Sequence, residues 1–394
     1  MPEFAFVLGK NFDLSAAELV CFLRARGVAF EVTDYSDEFI VIEAKALPKG
    51  MIEGLGGTLK IAEVFFVTGK RGHRDISAEM NGLDFEKLFV GLPEKPLFAV
   101  SAYGSKSDQN FFPELLKQRM KEVGLSPGYI HSDEPLTHTE VLKKRLLQKG
   151  AEFLSLRAGG FRLAKTVAVH NPDDFMKRDV GKPVQRTIFS ISPRLCRMMI
   201  NLSMPKGVLL DPFCGIGCIL MEACLLGLDI RGIDIDPKCV PDCRKNLEWL
   251  QKEYGLSMGS LEEKIRHGDA KKLSDLFSPG SVDAIVTEPY LGRPLLERPC
   301  LADAKAILDE VRPLYASFLK EAAKVLRKGS RAVVISPFFR VGGRDMGLDM
   351  AELAKAAGLA QVDVFEGVNL PHAFPLSDFE ERHSTLRMIN VLQK

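Results

Sequence analysis

From Gly207 onward the chain alternates short apolar runs with stretches of helical period, and this alternation restricts the fold more than any other feature of the sequence. Residues 208–210, 230–233, 264–267, 282–287 and 332–336 read as strands, and residues 217–226, 237–254, 303–327 and 349–357 as helices. Further strands are expected at 362–366 and 387–392. Strands that are apolar on both faces bury themselves when helices cover both sides. The pattern therefore predicts an α/β fold: a Rossmann-like, doubly wound, largely parallel sheet.

The front half is organised differently. A strand at 4–8, a helix at 14–26 after Asp13, and strands at 28–33 and 39–43 form a β-α-β-β opening of ferredoxin type. A second small α/β region follows, with a strand at 97–101, a helix at 111–123 and a short strand at 129–130. Thr137-His138-Thr139-Glu140 has the form of a capping box ahead of a helix running to Gln148, which places His138 in a cap. Strands at 153–156 and 161–169 flank Gly159-Gly160. Tyr103, Phe111 and Phe112 fall at core spacing.

Of the 394 residues, 46% are apolar and 27% charged, and the net charge is +1, values that exclude a disordered or uniformly basic chain. No run is long enough to cross a bilayer, and the start Met1-Pro2-Glu3 lacks the basic opening of a secretory signal. Eight cysteines are too few for a disulfide scaffold. The three-residue gaps of Cys214/Cys218 and Cys239/Cys243 are not those of zinc knuckles, and there are only seven histidines. A reduced, cytoplasmic chain without a metal is expected. One segment is electrically unusual: residues 157–206 hold ten Lys/Arg against three acids. It reads either as a solvated connector or as a phosphate-facing stripe, with Arg157, Arg162, Lys165, Lys177, Arg178 and Arg186 as candidate RNA contacts.

The sharpest motif is Asp211-Pro212-Phe213-Cys214-Gly215-Ile216-Gly217, set between an apolar strand and a helix. In open α/β sheets such a turn lies beyond the carboxyl ends of the strands, where ligands bind. Gly215 and Gly217 let backbone approach a ligand closely. A dinucleotide site would want a third glycine where Leu220 stands, and an acid at the strand end suits a cation better than a pyrophosphate. S-adenosylmethionine, with its ammonium and sulfonium, fits these charges. Asp234 ends the next strand, 17 residues after Gly217, near the customary spacing for an acid that accepts from ribose hydroxyls. Asp269-Ala270 follows the third strand, where Asp269 could accept from an adenine amine. Asp211, Phe213, Gly215, Gly217, Asp234, Asp269 and Ala270 form the expected cofactor set, with Asp236 open as a ligand or a helix cap.

After the fourth strand comes Thr287-Glu288-Pro289-Tyr290-Leu291-Gly292. Enzymes that methylate exocyclic amines usually place Asp/Asn-Pro-Pro-Tyr/Phe here. A nucleobase amine is a poor nucleophile because its lone pair is delocalised, so acceptors must hold its hydrogens while an aromatic ring stacks on the extruded base. Thr287, Glu288, Pro289 and Tyr290 are the expected catalytic turn. Thr287 stands in place of Asp/Asn and Glu288 in place of the first proline. Either the Glu288 carboxylate takes over amine recognition, with Thr287 hydrogen-bonding nearby, or backbone carbonyls do that work.

Taken together, Asp211-Pro-Phe-Cys-Gly-Ile-Gly, Gly232-Ile-Asp-Ile-Asp and Thr287-Glu-Pro-Tyr resemble the THUMP-domain tRNA guanosine-N2 methyltransferases. Arg178-Asp179, Lys182-Pro183, Gln185-Arg186, Ser190-Ile-Ser-Pro193 and Met199-Ile-Asn-Leu-Ser203 resemble that family's linker and lead-in helix. Gly56 to Ile61 resembles its inter-domain segment. The resemblance implies a ferredoxin-like domain (1–65), a THUMP RNA-binding domain (66–171), a basic linker and lead-in helix (172–200), and a methyltransferase domain (201–394). It also implies tRNA as partner, with the acceptor end on the THUMP domain, and S-adenosylmethionine as methyl donor. Self-sufficiency as a monomer and dependence on a small activator subunit both stay open. A DNA amino-methyltransferase and a catalytically silent RNA-binding homologue are the competing readings.

Overall fold

The computed structural model describes all residues except 187–190, 296, 298, 372–375 and 379–384; Ser190 of the linker resemblance lies outside the described residues. The front half contributes eight strands. These are β1 (Glu3–Leu8), β2 (Phe30–Tyr35), β3 (Phe39–Ala44), β4 (Thr58–Thr68), β5 (Leu97–Tyr103), β6 (Gly128–Tyr129), β7 (Gly150–Arg157) and β8 (Phe161–Val169). They form one continuous sheet in the order β2-β3-β1-β4-β8-β7-β5-β6. β4 pairs antiparallel with β1 on one side and β8 on the other, so it runs through the expected boundary at 65/66 and joins both α/β units. Lys60 interrupts the apolar pattern of β4. It is buried against Glu152, 2.5 Å away, a pairing that nothing in the local sequence announces.

Two expected elements differ. The helix beginning at His138 stops at Lys143 and resumes at Leu146, because Arg145 adopts a left-handed conformation (φ 54°) that a helix cannot continue through. Residues 362–366 form a turn instead of a strand. Asp363 Oδ1 accepts from the Phe365 amide at 2.9 Å, and Val364 and Phe365 are buried from that turn.

The second sheet is built from β9 (Val208–Asp211), β10 (Asp229–Asp234), β11 (Ile265–His267), β12 (Val282–Thr287), β13 (Leu326–Val341), β14 (Arg344–Gly347), β15 (Ala360–Gln361), β16 (Leu376–Asp378) and β17 (Leu386–Gln393). Its order is β11-β10-β9-β12-β13-β17-β15, with β14 on β13 and β16 on β17. The first five strands of that order are parallel, and β17 is antiparallel to β13. The chain leaves β9 toward β10 and β11, then returns to β12 on the opposite side. β9 and β12 therefore flank the topological switch point, where crevices open in such sheets.

The helix Pro193–Ser203 ties the two halves together. Ser192 caps it, Pro193 opens it, and ten of its residues are buried. It lies between the first helix, Phe12–Ala25, and the second sheet. Gly56 is required at this seam, because a Cβ there would stand 2.4 Å from the Arg194 carbonyl oxygen. Buried Glu18 accepts from the Gly56 and Gly57 amides and from Asn201 Nδ2, each at 2.7 Å.

The basic segment is turned inward, which corrects the phosphate-stripe expectation for most of its members. Arg157 forks onto Asp108 at 2.6 and 2.9 Å. Arg162 binds Glu3 at 2.8 Å and also Asp34. Arg178 is 4% exposed and donates to Glu222 at 2.5 Å. Arg186 pairs with Asp242 at 2.9 Å and Lys177 with Glu253, both with part of the side chain in solvent. Lys165 stands opposite Glu63 in the β4–β8 register. Guanidinium groups whose donors are committed to carboxylates inside the chain are not available to phosphate. Glu222 also receives Arg197 at 2.5 Å, and Arg197 reaches the Glu53 carbonyl at 2.8 Å, so one carboxylate clamps both halves. Replacing Glu222 by Ala would leave two buried guanidiniums unpaired. It is expected to cost about 3–5 kcal/mol, read as the loss of unfolding free energy in a denaturant titration.

Candidate active site at the switch point of the second sheet

Asp211 ends β9 and Thr287 ends β12, so adjacent strands bring them to the same sheet edge. Thr287 is fully buried, and its hydroxyl donates to Asp211 Oδ1 at 2.6 Å; the Phe213 amide donates to the same oxygen at 3.1 Å. Among the described residues no donor reaches Asp211 Oδ2. A 98% shielded carboxylate with one uncommitted oxygen suits the ammonium of an amino-acid-bearing ligand. Burial raises the Asp211 carboxyl to about 7, Thr287 and the Phe213 amide oppose the rise, and Asp234 and Glu288 add to it.

The turn after β9 is held from several sides. Phe213 packs edge-on against Phe318 at 5.3 Å. Gly215 and Gly217 both have positive φ (50° and 90°); nothing would meet a Cβ on Gly215, whereas one on Gly217 would press on Cys243 Sγ at 2.7 Å. Gly215 thus leaves an open face toward the crevice, while Gly217 allows close packing. Asp234, at the tip of β10, accepts from the Gly215 amide through Oδ2 at 2.8 Å and from the Asp236 amide through Oδ1 at 2.9 Å. Each oxygen keeps a lone pair for a ribose hydroxyl. Asp236 Oδ1 accepts from the Lys238 amide at 2.9 Å in the turn ahead of the helix Cys239–Tyr254, whose N-cap is Lys238, so Asp236 does not cap that helix.

Asp269 is placed as the cap of a short helical turn. Its Oδ1 accepts from the Lys271 amide at 2.9 Å, and its Oδ2 lies 3.7 Å from Lys271 Nζ, while Ala270 is buried. Acceptance from an adenine amine therefore rests on Oδ2. The donor set fits S-adenosylmethionine: an uncommitted buried carboxylate oxygen for the ammonium, and a strand-tip acid beside an open glycine for the ribose.

The catalytic turn carries a feature that the sequence reading missed. Arg387, on β17, donates through Nε to Glu288 Oε1 at 2.6 Å and through Nη2 to Oε2 at 3.5 Å. Because β17 runs antiparallel, its first residues lie at the carboxyl ends of its neighbours, and Arg387 faces Pro337 in the β13 register. The two residues are 99 positions apart, so no local pattern could join them. Pro289 is buried, Tyr290 is 43% exposed, and Gly292 (φ 100°) leaves room for Ile307. Glu288 therefore does not stand as a lone acceptor. No group of three or more metal-ligating side chains occurs among the described residues, and no described helix is long and apolar enough to cross a membrane.

Strand order and the carboxylates at the strand tips are those of an α/β methyltransferase domain. Residues 184–340 match the UPF0020 family, described as RMKL-like, methyltransferase domain. TrmN from Thermus thermophilus shares the fold at a TM-score of 0.53 and 17% identity, over 100% of this chain and 99% of that one. A tRNA (guanine(10)-N2)-dimethyltransferase of Methanothermobacter thermautotrophicus is 34% identical over 334 residues, covering 83% of this chain and 86% of the relative. One of the same name from Pyrococcus abyssi is 29% identical, covering 56% and 58%. The chain belongs to the family of these tRNA (guanine(10)-N2)-dimethyltransferases.

The raised Asp211 carboxyl has a measurable consequence. Its contribution to stability is fully present below the ordinary value of 3.8 and is lost as pH rises through about 7. Asp211→Asn keeps the acceptor oxygen for Thr287 and never ionises. It is expected to melt higher than the parent near pH 8 and by a clearly smaller margin near pH 5, where only the first part of the window from 3.8 to about 7 has been crossed, checked by thermal unfolding of both at the two pH values.

Proposed function

We propose that the chain transfers methyl groups from S-adenosylmethionine to the exocyclic N2 amine of a guanosine in tRNA, at the position ten given in its relatives' names. The observation that carries this reading is the hydrogen bond from Thr287 to Asp211, which links the carboxylate suited to the cofactor directly to the turn bearing Glu288 and Tyr290. When bound, the cofactor supplies an electrophilic methyl group on a sulfonium. The chain supplies the rest. Asp211 Oδ2 takes the ammonium, and Asp234 holds the ribose beside Gly215. Exposed Tyr290 stacks on the extruded base, and Glu288 accepts from the amine hydrogens, favouring a pyramidal nitrogen. Pro289 fixes the turn's direction.

The front half fits a ferredoxin-like unit followed by a THUMP domain, with β4 as their shared strand. With the inward-turned arginines removed from the RNA surface, the exposed cations Lys70, Arg71 and Arg74 after β4 are better placed to meet phosphates. β4 spans 11 residues, roughly 35 Å, and carries these cations at its far end from the Gly56 seam, as suits a long polyanionic ligand. Structured RNA is such a ligand. Free buried cysteines fit a reducing, cytoplasmic setting.

Radiolabelled methyl transfer onto unmodified bulk tRNA and onto DNA, with nucleoside analysis, tests the assignment. Label is expected in N2-methylated guanosine from tRNA alone. Label in adenine or cytosine of DNA, or no label in either, contradicts it.

A further inference from the structure

Guanine presents, along one edge, an acceptor at O6 followed by N–H donors at N1 and N2. Adenine and cytosine offer a donor amine beside an acceptor ring nitrogen. An ionised carboxylate only accepts and a guanidinium only donates. Glu288 and Arg387 set one of each side by side at the carboxyl end of β12, with Glu288 two residues before exposed Tyr290. We infer that this ion pair reads the guanine edge: Glu288 accepts from N1–H and N2–H, and Arg387 donates to O6. The inference rests on the function proposed above and adds the group that restricts it to guanosine.

The geometry leaves both partners capacity for a base. Arg387 holds Glu288 Oε1 closely and Oε2 only at 3.5 Å, so lone pairs remain on both oxygens. Nη1 makes no closer carboxylate contact than Asp378 Oδ2 at 3.9 Å among the described residues. The two side chains are 14% and 15% exposed, reachable from the crevice yet shielded from bulk water. In such a place a base offering an acceptor to the carboxylate leaves both groups unsatisfied, which penalises adenine and cytosine. A proline in place of Glu288, as in the more usual turn, could not make this distinction. The arginine also fixes the carboxylate's orientation before the base arrives.

The test uses the full chain and two tRNA transcripts that differ only at the target nucleotide. One carries guanosine; the other carries 2-aminopurine, which keeps the N2 amine but lacks N1–H and O6. The wild type is expected to favour guanosine in kcat/KM by roughly 10- to 100-fold. Arg387→Met is expected to lower kcat/KM on the guanosine transcript several-fold more than on the 2-aminopurine transcript, which lacks O6, and so to compress that ratio. Arg387→Lys, which keeps the charge without the fork, restores part of it. Calorimetric titration with S-adenosylmethionine verifies that each variant retains its cofactor site. Equal losses on both transcripts with cofactor binding intact, or a wild type indifferent to the base, overturn the inference. No product from the guanosine transcript overturns the proposed function itself, a result distinct from equal rates.

Discussion

A single buried hydrogen bond, from the Thr287 hydroxyl to Asp211 Oδ1, joins the two strands on which the site depends. It crosses the switch point of the second sheet, where β9 and β12 separate the two winding directions of the chain. Because it occupies one carboxylate oxygen, the other has no donor among the described residues. The threonine also removes a repulsion. An aspartate at 287 would place a second carboxylate against one already pushed up by burial and by Asp234 and Glu288.

Buried ion pairs surround this bond at the junction of the two halves. Glu222 sits on the helix that follows the glycine turn, and it holds Arg178 and Arg197 from the linker and bridging helices. Arg197 in turn reaches a carbonyl of the front half. Together with Glu18 and the close approach at Gly56, this makes the junction a packed interface. The front half is thus packed against the second sheet through these contacts instead of being joined to it by a bare tether.

The second sheet was legible in the sequence because apolar runs and helical periods alternate there without interruption. Asp211 and Asp234 stood out in the sequence because each closes an apolar run, and each does end a strand. Other features depend on distant partners that no local pattern reveals. The basic segment shows its charge in the sequence, but Arg162 meets Glu3 and Arg157 meets Asp108, 159 and 49 positions away. Arg387 reads only as the beginning of a strand until antiparallel pairing carries it to Glu288. β4 escapes notice because its buried lysine breaks the apolar run, and Val364 and Phe365 mimic a strand because their burial is achieved from a turn.

The two departures from the more usual amine-methylating turn thus have separate physical roles. Thr287 hydrogen-bonds to Asp211, and Glu288 pairs with Arg387; the function proposed above gives the first to the cofactor and the second to the base. A crystal structure of the chain with S-adenosylhomocysteine tests this division most directly. The ligand's amino group should lie within hydrogen-bonding distance of Asp211 Oδ2 and its ribose on Asp234, with Glu288 and Arg387 still paired beside an open crevice. A ligand whose amino group is held elsewhere, with Asp211 Oδ2 facing only protein, would contradict it.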